Sequence, residues 1–132
     1  MNFQKKNADN LVSVYLEKAD ERLDSAKVLL EKGNLEDSIS RSYYAILDAA
    51  SACLIKKDIV PQSHTGAMRL FSLHYIKPGH VDQKYQRQFA KIEKARIEVD
   101  YTHLRSFARE EAAEILKEAG EFVAMAKALT GG

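Results

Sequence analysis

Arg96 and His103 are the two side chains in this 132-residue sequence whose types and separation could carry a reaction. Between them lie Ile97-Glu98-Val99-Asp100-Tyr101-Thr102. A helix continuing through Thr102 would put both on one side, roughly 10 Å apart along its axis. A guanidinium holds a phosphate as a bidentate fork, and an imidazole exchanges protons near neutral pH. Together they could support metal-free cleavage of RNA: His103 passes protons to and from the reacting oxygens while Arg96 neutralises the phosphate as charge builds. Both residues also have plainer uses. Arg96 can pair with Asp100, four residues on, and His103 can stand in a turn. Arg41, two residues ahead of the Tyr43-Tyr44 pair, is a further phosphate-binding candidate, with Asp37, Asp48 or the Asp100-Tyr101 corner as its plainer partners. Tyr43 and Tyr44 read as packing residues with satisfied hydroxyls.

Other chemistries lack their signatures. The sequence holds no Gly-rich phosphate loop, no CxxC pair and no His-Glu-x-x-His arrangement. His64, His74, His80 and His103 are too irregularly spaced for a recognisable metal motif, so neither a metal nor a cofactor is expected. The formal net charge of +1 provides no global field toward nucleic acid or membrane, although a local cleft can still be basic. Cys53 is the single cysteine, which rules out an intrachain disulfide and suits a reducing cytoplasm. The opening MNFQKKNADN is polar and has no apolar core of the kind a signal peptide or membrane span needs.

The elements that must position these groups are helical. With 45% hydrophobic and 30% charged residues but only two prolines and six glycines, the chain is expected to be ordered and element-rich, as one domain over 1–132. Leu35 to Lys56 reads as the central helix, because Leu35, Ile39, Tyr43, Ile46, Leu47, Ala50 and Leu54 recur at steps of three and four. Its small residues, Ser38, Ser42, Ala45, Ala49 and Ala52 among them, let another helix approach closely, and Asn34 is its expected cap. A first helix is expected from about Asn10 to Glu31, capped by Asp9 or Asn10, with Leu11, Tyr15, Ala19, Leu23, Ala26 and Leu30 on the buried side. Gly33 breaks the chain so briefly that the two helices should form an antiparallel hairpin.

Pro61 ends the central region, and Ser63 can cap a short helix through Met68, Leu70, Phe71, Leu73 and Ile76 that stops at Pro78-Gly79. A fourth helix is expected over roughly Asp82 to Tyr101, with Tyr85, Phe89, Ile92, Ala95 or Arg96, and Val99 as its stripe. After a break at DYTHLRSFAREE, the last helix runs through Ala112, Ile115, Ala119, Phe122, Val123, Ala126 and Leu129. Glu110, Glu111 and Glu114 near its start and Lys127 near its end agree with the helix dipole. The expected fold is therefore all-α, an up-and-down antiparallel four-helix bundle with an additional short helix.

Three blocks, RSYYAILDAASACL, SHTGAMRLFSLHYIKPG and ARIEVDYTHLRSFAREEAAEIL, together resemble the HEPN-domain family, in particular its small prokaryotic UPF0332 group. The resemblance covers nearly the whole chain. It implies a helical bundle, commonly a homodimer, often encoded beside a minimal nucleotidyltransferase. It also implies a metal-independent endoribonuclease, in some members a toxin, whose arginine and histidine meet a second pair across a dimer cleft. Arg96 and His103 would be that pair here, and Arg41 the central-helix arginine near the cleft. The alternative in the same family is a non-catalytic nucleotide-binding or protein-interaction module. The chain departs from the toxin branch in having Ile97 directly after the arginine and Arg105 two residues after the histidine.

Overall fold

The computed structural model describes residues 2–101 and 105–131, with the side chains of residues 2–6 and 64 outside the description. Five helices follow in order: α1 Asn2–Glu31, α2 Leu35–Lys56, α3 His64–Phe71, α4 Lys84–Val99 and α5 Arg109–Leu129, with no strand among the described residues. Four are long and α3 is short, the all-α arrangement expected. No described helix is long and apolar enough to cross a membrane.

Helix α2 is the centre, packing against each of the other four. Its small side chains make this feasible: Ser38, Ala45, Ala49 and Ala52 are fully buried. The Ser38 hydroxyl donates to the Ala26 carbonyl of α1 at 2.8 Å, so a polar residue sits at the helix contact with its donor satisfied. Around α2 the interior fills with Phe71, Tyr75, Phe89, Ile92, Ile115 and Phe122. Phe71 stacks on Tyr75 at 5.0 Å and meets Phe122 at 5.1 Å, joining α3 to α5.

The turn between α1 and α2 is made by Gly33 at φ +82, a left-handed conformation that favours glycine. The Gly33 amide donates to Leu30 and the Asn34 amide to Leu29, which satisfies the last carbonyls of α1. Asn34 does not cap α2 through its side chain, contrary to expectation. Its ψ of 74 departs from the extended geometry from which a cap side chain reaches the first-turn amides, and only its backbone carbonyl receives Ser38.

Helix α1 also begins eight residues before the expected Asn10, since Asp9 and Asn10 lie inside it. The early turn is retained because Ala8 packs with Val12, Ala52 and Ile55, extending the buried face toward the N-terminus. That face runs through Val12 rather than Leu11, which is exposed.

Ser63 caps α3 as expected, its hydroxyl accepting the Gly66 amide at 3.1 Å. One π-helical turn, Ser72–Ile76, prolongs α3, with the Lys77 amide donating to the Ser72 carbonyl at 2.8 Å. The wider turn accompanies a Tyr75 hydroxyl that donates to the Cys53 carbonyl at 2.6 Å, tying the segment to α2. Helix α4 is shorter than expected at both ends: Asp82 accepts the Lys84 amide at 2.8 Å, and Asp100-Tyr101 form a turn after Val99.

Candidate functional site

Tyr44, on the exposed flank of α2, is where the chemically capable side chains meet. The guanidinium of Arg22 from α1 lies 5.4 Å from the centre of its ring, and that of Arg96 from α4 lies 5.7 Å away. Arg96 donates from Nη2 to the Tyr44 hydroxyl at 3.5 Å and from Nη1 to Asp100 Oδ2 at 3.3 Å. Three helices are thereby joined at one aromatic ring. Tyr43 points to the interior instead, stacked on Phe89 at 5.7 Å, and burial first and Glu93 second raise its hydroxyl pKa.

The two arginines are held by different carboxylates. Arg22 Nε donates to Asp48 Oδ2 at 2.5 Å, and Asp48 is only 1% exposed. This carboxylate is out of water and needs its cation, so the pair fixes α1 on α2. Asp100, the carboxylate of Arg96, is 67% exposed and lies in the turn after α4. Such an i,i+4 pair is water-screened and contributes about 0.3–0.5 kcal/mol. Burial pulls the Arg96 pKa down, but the Tyr44 hydrogen bond and the negative charges nearby outweigh it, so the guanidinium stays charged. Its Nε is buried without a hydrogen-bond partner among the described residues, leaving one donor unspent.

Arg41 lies one turn before Tyr44 on α2 and is exposed. Two of its expected partners are engaged elsewhere, Asp48 with Arg22 and Asp100 with Arg96. It borders a groove of 220 Å³ between α1 and α2, together with Lys18, Glu21, Arg22 and Ser25. With Arg22 paired to Asp48, Lys18 and Arg41 face the single carboxylate of Glu21, which leaves the groove only weakly basic.

His103 lies outside the described residues. Before it, α4 closes at Val99 and Asp100-Tyr101 form a turn. Arg105, just beyond, clamps the approach to α5: it bonds Glu98 at 3.1 Å and Glu111 through two nitrogens, and its guanidinium covers the Phe107 ring at 4.0 Å. Its pKa rises chiefly through the Glu111 hydrogen bond, and that same bond lowers Glu111 below its usual range. Among the described residues no His, Cys, Asp and Glu side chains gather as a metal-ligand group.

Sequence reasoning missed Arg22. A usable signal existed, because a hairpin centred on Gly33 sets Arg22 and Tyr44 at equal distances on its two arms. The aspartate at 48, between Leu47 and Ala49 on an otherwise apolar stretch, likewise required a cation from a neighbouring helix.

Comparison with known proteins agrees with this architecture. The model of the HEPN domain matches residues 12–129. A protein of Methanocaldococcus jannaschii named "Putative toxin MJ0605" is 35% identical over 112 residues, covering 85% of this chain and 83% of its own. The UPF0332 protein PH1297 of Pyrococcus horikoshii is 42% identical over 76 residues, 58% of this chain and 54% of its own. A UPF0332 protein of Thermotoga maritima is 27% identical over 115 residues, 87% of each chain. With the match running from Val12 within α1 to the end of α5 and including the cluster around Tyr44, the chain belongs to the HEPN-domain family and is related to its UPF0332 proteins.

Proposed function

We propose that this chain is a cytoplasmic, RNA-directed, metal-independent endoribonuclease of the toxin type, acting as a homodimer with Arg96 and His103 as its reacting pair. The observation that carries the reading is the state of Arg96. Its guanidinium is positioned by Tyr44 and charged, yet its carboxylate partner is a mostly exposed Asp100 that a phosphodiester can displace. Arg22, locked onto the buried Asp48, keeps the ring in place while Arg96 exchanges partners. Arg41, exposed one turn before Tyr44 on α2, supplies a contact to the flanking phosphate. In the reaction a ribose 2′-hydroxyl attacks the adjacent phosphorus and loses its proton to a base, and the departing 5′-oxygen is protonated, leaving a cyclic phosphate. His103 is assigned the proton transfers and Arg96 the charge on the phosphoryl oxygens. The requirement for a 2′-hydroxyl spares DNA. That two relatives from Methanocaldococcus jannaschii carry the names "Putative toxin MJ0605" and "Putative toxin MJ0142" supports this direction.

A second reading has its own observation. Arg96 contacts both Tyr44 and Asp100, which suits a staple between α4 and α2 in a non-catalytic nucleotide-binding or interaction module working with a minimal nucleotidyltransferase. The experiment compares cleavage of structured RNAs, in chelator, by wild type, His103→Ala and Arg96→Ala. Cleavage by wild type that falls at least about a hundredfold in His103→Ala supports the endoribonuclease. Equal cleavage by wild type and His103→Ala rejects the assigned pair. Absence of cleavage across the RNA panel, with nucleotidyltransferase binding retained, favours the module.

A further inference from the structure

Helix α1 carries a second apolar row that faces solvent beside the groove it forms with α2. Leu11, Val14 and Val28 are 39%, 46% and 49% exposed. With Lys18, Glu21 and Ser25 between them, they recur at alternating steps of three and four, the spacing of a coiled-coil seam. The row extends about 25 Å from Leu11 to Val28 at the helical rise per residue. Neither Lys18 nor Glu21 forms an ion pair among the described residues, and the Lys18 ammonium has only the ring of Tyr15, 5.8 Å away.

The row is complementary to its own reverse. Counted outward from the point between Ala19 and Asp20, Lys18 corresponds to Glu21, Val14 to Ser25 and Leu11 to Val28. We propose that this row is a two-fold interface on which α1 of a second copy lies antiparallel, Lys18 of each copy meeting Glu21 of the other. Opposite charges then face each other at the centre. Val14 covers Ser25 on either side, and Leu11 packs on Val28 at both ends, which is the self-complementary pattern a two-fold contact requires. The steps of Leu11, Lys18 and Ser25, and of Val14, Glu21 and Val28, are each one heptad, which matches the shallow left-handed crossing of paired helices. A polyanion fits the row poorly, because Glu21 stands in its middle and repels phosphate. The inference rests on the proposed function for the existence of a second copy and adds the surface on which it sits.

The test is the oligomeric state of the full chain by sedimentation and light scattering at tens of micromolar protein. Wild type is expected to be a dimer. Lys18→Glu and Glu21→Lys should each weaken it at least about tenfold by placing like charges opposite each other, and the combined exchange Lys18→Glu with Glu21→Lys should restore it. Unchanged helical circular dichroism shows that the variants fold. Val14→Cys with Ser25→Cys should give a disulfide-linked dimer on mild oxidation. A monomeric wild type, or a dimer unaffected by either single reversal, overturns the proposal. In the latter case a dimer still exists through another surface, and RNA cleavage by wild type against His103→Ala tests the proposed reaction separately.

Discussion

Replacing Arg22 with alanine should be among the most damaging single changes on the surface of this bundle. The substitution removes the guanidinium that donates at 2.5 Å to Asp48, a carboxylate only 1% exposed. Removing one member of a buried pair costs about 3–5 kcal/mol, because the remaining charge stays desolvated. The lower end applies here: the Arg22 side chain is 25% exposed, so water can follow it out, and Arg22 is not the sole contact of Asp48. A loss of about 3 kcal/mol lowers the melting temperature of a chain this size by roughly 10 °C. Urea unfolding followed by circular dichroism measures it directly. The control is Arg22→Met with Asp48→Leu, which removes both charges and keeps volume in the interior, and it should recover most of the loss. If Arg22→Ala unfolds within about 0.5 kcal/mol of wild type, the buried pair does not hold α1 on α2 and the reasoning fails.

Two further outcomes follow from the titrating groups. Burial pushes the Cys53 thiol up to about 12, so at pH 8 only about one part in ten thousand is thiolate. Native protein should therefore react with an aromatic disulfide reagent at least about a hundredfold more slowly than protein in guanidinium, and equal rates would refute the packing described around α2. The Arg105 hydrogen bond holds Glu111 below its ordinary carboxylate range. The stability this pair supplies is complete above the unfolded glutamate pKa of about 4.3 and is lost as pH falls through the lower folded value. Arg105→Ala should thus be less stable than wild type near neutrality, with the gap closing in acid. A gap of constant size in urea unfolding at neutral and acid pH would separate Arg105 from Glu111.

The helical architecture was legible because its signal is local. The three-and-four spacing through Ile39, Tyr43, Ile46 and Leu54, and the Ser63 cap, each depend on residues within a few turns. The start of α1 was not, because Asp9 and Asn10 have the chemistry of caps while also being acceptable on an exposed helical face, and the packing of Ala8 against the cluster of Val12, Ala52 and Ile55 decides between these uses. The candidate site divides in the same way. Arg96 with Asp100 is an i,i+4 pair and could be foreseen, whereas Arg22 with Asp48 depends on the register of the α1–α2 hairpin. Arg41 loses Asp48 as a partner because that register assigns the carboxylate to another helix. The fourth helix was expected to reach Tyr101, and its hydrogen bonds end it sooner: α4 gives way to a turn at Asp100.

The small residues of α2 have a consequence for anything that docks beside it. Because Ser38, Ala45, Ala49 and Ala52 bring neighbouring backbones close on several sides, this helix has little room to shift or rotate. Tyr44 projects from that confined rod and carries two arginines with it. The donors around Tyr44 are therefore oriented by the fold itself, and the entropy of arranging them is surrendered during folding.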